Sequence, residues 1–207
     1  GSVYVFRRTG SSWTEETKLT ASDGQASDFF GWSVARDGGL QLVGANREDQ
    51  EDPDAGAAYV FEDMPAPTVY CTAKVNSQLC IPQIGFQGTP GLSQPGPFEV
   101  TGTQLINQKP GLLFYGLLGR VNVPFLGGTL CASPPLKRTP IQFSGGNVGA
   151  PDCSGTVTFD FKAWLQAGSD GLLGAGSVVR GQYFYRDPAH GDGTGAGLTD
   201  AIEFGIC

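Results

Sequence analysis

Carboxylates are the densest group of chemically capable side chains in this sequence, and they gather in one short segment. Five acids fall within seven consecutive positions: Glu48, Asp49, Glu51, Asp52 and Asp54. Hard oxygen ligands spaced through a loop suit Ca²⁺, which takes six to eight of them. Crowded carboxylates also repel one another, so a cation or a basic partner would stabilise the segment. A solvated acidic turn is the alternative.

Cysteines provide the second kind of chemistry. The chain has five of them: Cys71, Cys80, Cys131, Cys153 and Cys207. They form no C-x-x-C motif, and a single histidine leaves few further ligands for zinc. We therefore predict disulfides, which indicate an oxidising compartment, with buried free thiols as the alternative. Cys131–Cys153 is the favoured pair and Cys71–Cys80 the second, although Cys207 competes for a partner in either. One cysteine must stay unpaired or bridge to another chain.

Catalytic motifs are missing from the sequence. The single histidine, His190, precedes the glycine-rich run at 191–195 and has no nucleophile elbow or metalloprotease motif beside it. A dinucleotide site would require a strand before that run and a helix after it. We predict an exposed loop here, and a protein that is not an enzyme.

Aromatic residues suggest a sugar-stacking platform as a further hypothesis. The candidates are Trp32, Trp164, Tyr183, Phe184 and Tyr185. On a strand, Tyr183 and Tyr185 would share one face while Phe184 occupied the other, so at least one set must be core. Ordinary core or interface packing is the preferred interpretation.

Composition indicates the elements that position these residues. Glycine (32) and proline (14) are abundant among 207 residues, of which 40% are still hydrophobic. Both residues disfavour helix interiors, so we predict a globular, all-β protein of short antiparallel strands and many turns. Alternation is clear at Val157, Phe159 and Phe161, and residues 161–166 are a candidate for a short helical turn.

The net charge of −7 lies entirely in residues 1–63. An acidic surface disfavours nucleic acid, which rewards clustered Lys and Arg. It also disfavours anionic membrane surfaces. No apolar run approaches the ~20 residues of a membrane-spanning helix, so we predict no membrane insertion.

An internal repeat organises the first third of the chain. Residues 1–6 (GSVYVF) recur as residues 56–61 (GAAYVF), at a spacing typical of a propeller blade or solenoid unit. We predict a propeller-blade-like antiparallel sheet at 1–62, a Pro-rich linker at 63–69 and a disulfide-bearing antiparallel β-sandwich or jelly roll at 70–207.

The repeat resembles a known family. Phe30-Gly31, Gly44-Ala45-Asn46 and the run at 56–61 resemble the FG-GAP repeat, the blade of integrin-α-like β-propellers and of many bacterial secreted proteins. The segment 13–21 is similar to the outer strand of such a blade. The resemblance implies Ca²⁺ in the acidic loop. Its predicted ligands are Asn46, Glu48, Asp49, Asp52 and Asp54.

A propeller needs about four blades, whereas this chain holds little more than one. We expect either a piece of a longer repeat array or a lone blade completed by a neighbouring copy. In the second case one copy would donate its first strand to another copy. The strand residues concerned are Ser2, Val3, Tyr4, Val5 and Phe6.

Residues 70–207 resemble a second family, a C-terminal domain of large secreted proteins from planctomycetes and related bacteria. The resemblance rests on four segments, at 70–77, 109–116, 127–131 and 185–188. It implies an extracellular or cell-surface setting and no enzymatic activity.

The sequence thus predicts a secreted or cell-surface structural protein that self-assembles, with filaments as one outcome. The alternative is an adhesin or carbohydrate-binding module that forms the C-terminal end of a larger propeller protein and binds a surface glycan or protein.

Overall fold

A computed structural model describes most of the chain, and strands dominate it. The prediction of an all-β fold is confirmed, since the described residues include one short helix beside the strands. The chain divides into two compact units, Gly1–Asp63 and Met64–Cys207. No helix within the described part is long and apolar enough to cross a membrane. The described residues are 1–37, 40–49, 52–62, 66–91 and 96–206.

The described part of the first unit forms five antiparallel strands in two sheets. A hairpin joins β1 to β2, and β3, β4 and β5 form a three-stranded sheet in that order. Gly10 has a φ of +62° in the hairpin turn, a conformation that glycine adopts without strain. The strands are β1 (Val3–Thr9), β2 (Ser12–Leu19), β3 (Phe30–Asp37), β4 (Leu40–Ala45) and β5 (Ala57–Glu62).

The core of the first unit is small. Phe30, Val43 and Ala45 are buried, and the rings of Tyr59 and Phe61 meet Phe30 edge-on at 5.3 and 5.9 Å. Val43 and Ala45 point inward because successive residues of a strand face opposite sides of the sheet. The same alternation places other apolar residues of β4 on the opposite face.

The second unit has eleven described strands and one helix. They are β6 (Thr68–Tyr70), β7 (Gln83–Gly88), β8 (Phe98–Leu105), β9 (Pro110–Gly116), β10 (Arg120–Phe125), β11 (Gly128–Ala132), β12 (Lys137–Arg138), β13 (Gln142–Phe143), β14 (Gly155–Asp160), α1 (Phe161–Gln166), β15 (Val178–Arg186) and β16 (Ala196–Gly205).

Two sheets of the second unit enclose its main core. One has the order β12-β9-β15-β16-β6, with β13 also paired to β9, and the other has the order β14-β8-β7. Buried side chains from both sheets pack together, among them Phe98, Val100, Leu113 and Phe204. The rings of Phe98 and Phe204 meet at 4.8 Å. This is a β-sandwich with its core between the sheets.

The larger sheet is also covered on its other side. The β10–β11 hairpin places Leu130 against Phe114 of β9 and Leu198 of β16, forming a second buried cluster. Buried apolar residues therefore lie on both faces of this sheet.

The structure describes one predicted segment in full and another in part. Residues 161–166 form α1, whose first turn is capped by the Asp160 carboxylate accepting a hydrogen bond from the Ala163 N–H at 3.0 Å. The predicted linker at 63–69 lies partly outside the described residues, which exclude 63–65. Its last residues, Thr68 and Val69, lie in β6 and pair with β16.

Candidate functional site

The acidic loop connects β4 to β5 in the first unit. Asn46, Glu48 and Asp49 follow β4, while Asp52 and Asp54 precede β5. The loop is closed by the Gly56 N–H, which donates to the Glu48 carbonyl at 2.9 Å. Glu51 belongs to the acidic cluster but lies outside the described residues.

The predicted calcium ligands differ in environment. Glu48 is buried, whereas Asn46, Asp49, Asp52 and Asp54 are exposed. Within the described residues, no three or more His, Cys, Asp or Glu side chains are grouped so that they could hold a metal ion. The calcium site therefore stays a prediction.

Glu48 belongs to a different acidic grouping, around the hydroxyl of Tyr59. The Tyr59 hydroxyl donates to Asp23 Oδ1 at 2.8 Å, and this bond is the main reason that the pKa of Tyr59 rises to about 12. The negative charges of Glu48 and Asp28 act in the same direction. Asp28 is itself buried, and its carbonyl accepts from the Arg47 N–H at 3.2 Å.

Sequence reasoning missed Asp23 and Asp28, because they lie in the loop between β2 and β3 and about 20 residues before the acidic cluster. The only signal in the sequence was the turn-forming residues beside them. Such residues indicate a loop but do not indicate which other residues the loop contacts.

The predicted assembly residues lie at the start of β1. Val3–Phe6 belong to this strand and Ser2 immediately precedes it. β1 is paired along its length with β2, because the sequence at 12–19 folds back as its hairpin partner. The donation of the first strand to another copy stays a prediction. The opposite edge of β1 has no strand partner within the described residues.

A cleft of about 210 Å³ lies beside β1. Its walls are largely apolar and come from β1, β3 and β4. Among the lining residues, Val34 of β3 is 62% exposed, while Val43 of β4 is fully buried. The lining residues are Val3, Tyr4, Val5, Phe6, Val34, Ala35, Arg36, Gln41 and Val43.

The face of the β3-β4-β5 sheet that is turned away from the core is also apolar. Leu40, Leu42 and Val60 lie on it and are 50, 46 and 67% exposed. Leu42 is directly opposite both Ala35 of β3 and Val60 of β5, so these side chains form a continuous patch. We call this surface the outer face. Isolated exposed apolar residues are normal, whereas a contiguous patch marks an interaction surface.

Four cysteines form two disulfides in the second unit. Cys71 is bonded to Cys131, and Cys80 to Cys153. The favoured pairing of Cys131 with Cys153 is wrong, as is the second choice of Cys71 with Cys80. The prediction relied on spacing along the chain. The sandwich instead brings Cys71 beside Cys131 and Cys80 beside Cys153. Cys207 lies outside the described residues.

The proposed sugar platform does not form. Tyr183 and Tyr185 are each only 1% exposed and belong to the main core, so they cannot stack on a sugar. Phe184 packs on the other side of the sheet, and Trp164 packs against the main core. Trp32 alone is largely exposed, on the first unit.

The glycine-rich loop that contains His190 holds an ion pair. Lys74 is buried and its ammonium contacts the Asp192 carboxylate at 2.5 Å. Hydrogen bonds from Lys74 and Thr194 hold the pKa of Asp192 well below its usual range. His190 accompanies this pair, with Nδ1 2.9 Å from Asp192 Oδ1 and Nε2 2.9 Å from the Val75 carbonyl oxygen. Both ring nitrogens therefore have partners.

One comparison with known proteins gives a match. The family model of the FG-GAP repeat matches residues 13–61. No curated protein and no solved structure is significantly similar to the chain. The predicted resemblance of the first unit is thus confirmed over the matched residues. The resemblance of 70–207 to a bacterial C-terminal domain stays a prediction.

The FG-GAP match indicates a repeat of the β-propeller type over residues 13–61. Such repeats, like the two disulfides of the second unit, are typical of extracellular proteins.

Proposed function

We propose that this is a secreted or cell-surface structural protein whose first unit associates with the first units of other copies. The observation that carries the proposal is the outer face, where Leu40, Leu42 and Val60 are exposed on a sheet whose other face is already buried. A sheet that is apolar on both faces is typical of an internal layer.

The edges of the first unit support the same function. β5 ends the order of its sheet, and β1 ends the order of its hairpin, so each has one edge without a strand partner among the described residues. Unpaired edges offer N–H and C=O groups to another strand, and folded proteins normally cover or blunt them. Association by edges and outer face together would repeat from copy to copy and can form a filament.

Sedimentation velocity and negative-stain electron microscopy of the full chain test this proposal. Leu42→Lys/Val60→Lys should abolish association, because two charges would be buried in the interface. Lysine also lowers the negative charge of the first unit, so a loss cannot arise from added acidic repulsion. The matched control is Val148→Lys/Leu172→Lys, which changes the same residue types at positions 93 and 64% exposed in the second unit.

The control should assemble as the parent chain does. A parent chain that stays monomeric over the whole concentration range would overturn the proposal. Equal assembly by both double variants would exclude the outer face as the contact.

We also propose Ca²⁺ as a ligand of the acidic loop. Five carboxylates within seven positions support it, together with the FG-GAP match. Thermal melting with CaCl₂ and with EGTA tests it, using Asp52→Ala/Asp54→Ala as the variant. Ca²⁺ should raise the melting temperature of the parent chain and not that of the variant. An equal melting temperature of the parent chain in CaCl₂ and in EGTA would contradict the proposed calcium site.

A further inference from the structure

Four buried side-chain oxygen atoms of the second unit have no hydrogen-bond partner of the usual geometry within the described part of the protein. One is Gln142 Oε1, in β13, and the other three are Ser77 Oγ, the Tyr185 hydroxyl and Asp187 Oδ1. Tyr185 is 1% exposed and Asp187 is fully buried. Buried polar atoms in folded proteins are nearly always bonded, either to protein or to ordered water. These three therefore need a common explanation.

Neighbouring contacts bring the three residues together. The Ser77 N–H donates to Asp187 Oδ2 at 2.8 Å, which places the serine beside the carboxylate. Tyr185 is the second-last residue of β15 and Asp187 follows the strand directly, and the charge of Asp187 acts on the Tyr185 hydroxyl. The amide of Asn76, the residue before Ser77, donates to the Tyr185 oxygen and opposes the rise of the Tyr185 pKa, so it is the Tyr185 hydroxyl proton that lacks an acceptor.

The Tyr185 hydroxyl is held in place and remains protonated. A Cβ atom at position 197 would lie 2.1 Å from Cζ of the Tyr185 ring, so Gly197 lets the ring pack directly on β16. Burial is the main influence on the pKa of Tyr185 and raises it, with the Asn76 amide opposing and the Asp187 charge reinforcing the rise. The hydroxyl is therefore a hydrogen-bond donor at physiological pH.

We propose that a single buried water molecule binds Ser77 Oγ, the Tyr185 hydroxyl and Asp187 Oδ1. The two hydroxyl groups donate to the water oxygen, and the water donates to the carboxylate. One water has two donors and two acceptors, so it satisfies all three atoms at once. A metal ion would leave both hydroxyl hydrogens without an acceptor.

This water would connect two parts of the second unit that are distant in sequence. Ser77 lies in the loop between Cys71 and Cys80, and both cysteines are disulfide-bonded. Tyr185 and Asp187 lie at the end of β15 and the start of the loop that contains His190. The bridge would thus stabilise the loop against the sheet through polar contacts that the protein atoms alone do not make.

The variant Tyr185→Phe tests whether the hydroxyl binds a water molecule, because the proposal predicts that the variant is less stable than the parent chain. If the hydroxyl binds water, removing it should raise the unfolding equilibrium constant about fivefold, as for other hydrogen bonds. Tyr183→Phe is the matched control, because the Tyr183 hydroxyl donates to the Val100 carbonyl at 2.8 Å in the same core. An unchanged or lower constant in Tyr185→Phe, with the expected rise in Tyr183→Phe, overturns the proposal.

A double-mutant cycle of Tyr185→Phe and Ser77→Ala supplies the second test. Two hydroxyl groups that share one water should give non-additive effects, whereas additive effects would contradict a shared ligand. A high-resolution crystal structure should show one density peak within hydrogen-bond distance of all three atoms. Stability that falls when NaCl is replaced by choline chloride at equal ionic strength would identify a metal ion instead and overturn the water.

Discussion

The two units of this protein bury their apolar residues to very different extents. Among the described residues, the main core of the second unit has 15 buried members, while that of the first unit has only three. The second unit covers both faces of its larger sheet and carries both disulfides. The first unit leaves Leu40, Leu42 and Val60 in contact with water.

This difference indicates two ways of being stable. Small domains bury a lower fraction of their surface, so a unit of about 60 residues is marginal without further support. The second unit gains that support internally, through two covalent links and a two-layered core. The first unit has an exposed apolar face and, among the described residues, strand edges without a partner, and the proposed association would complete it.

Removal of a disulfide should have the largest effect and act on the second unit only. Cys80→Ser/Cys153→Ser opens a link with a sequence separation of 73, which should lower the free energy of unfolding by about 4 kcal/mol. Both cysteines are half-buried, so the new serines bring little added strain. Calorimetry of the full chain should show the transition of the second unit falling while that of the first is unchanged. A shift of both transitions would mean that the units unfold together.

Truncation of one core valine in each unit compares how strongly the two units depend on their cores. Val43→Ala in the first unit and Val100→Ala in the second both remove methyl groups from fully buried side chains. Each should lower the free energy of unfolding by about 2 kcal/mol. The first unit should lose its cooperative unfolding transition, because so little core remains, while the second stays folded. Limited proteolysis would show this as cleavage confined to residues 1–63. Equal resistance of both variants would contradict a marginal first unit.

Acid should weaken the second unit through Asp192. Its pKa is lowered on folding, so it stabilises the fold above its unfolded pKa of about 3.9, and this contribution disappears as the pH falls toward the lower folded pKa. Asp192→Asn should reduce stability at neutral pH and flatten the decline of stability below about pH 4. Urea unfolding of the parent chain and of Asp192→Asn at several pH values measures this pH dependence. A variant with the pH dependence of the parent chain would contradict the assignment.

The smallest effect is expected at a surface ion pair. The Arg120 guanidinium lies 2.8 Å from Glu203 and 4.3 Å from the centre of the Tyr70 ring, but its side chain is 46% exposed. Arg120→Ala should lower the free energy of unfolding by no more than about 1 kcal/mol. Arg120→Lys keeps the charge but not the forked guanidinium group. Its free energy of unfolding should therefore lie between those of the parent chain and Arg120→Ala. A loss as large as that of the disulfide variant would show that surface charge, and not the core, distinguishes the units.

The sequence alone determined the features that depend on neighbouring residues. Phe30-Gly31 and Gly44-Ala45-Asn46 indicated the FG-GAP repeat, and the family match confirms it over 13–61. Composition and strand alternation predicted an all-β fold, and residues 161–166 were a candidate for a short helical turn, where α1 lies. These properties follow from composition and side-chain periodicity, which act over a few residues.

The tertiary structure alone decided which distant residues meet. It paired Cys71 with Cys131, and it placed Asp192 on Lys74, 118 positions earlier in the chain. It also buried Tyr185, which alternation could assign to one face of a strand without indicating which face is core. Such contacts depend on how sheets stack and which edges pair, and a period of two residues carries no information about either.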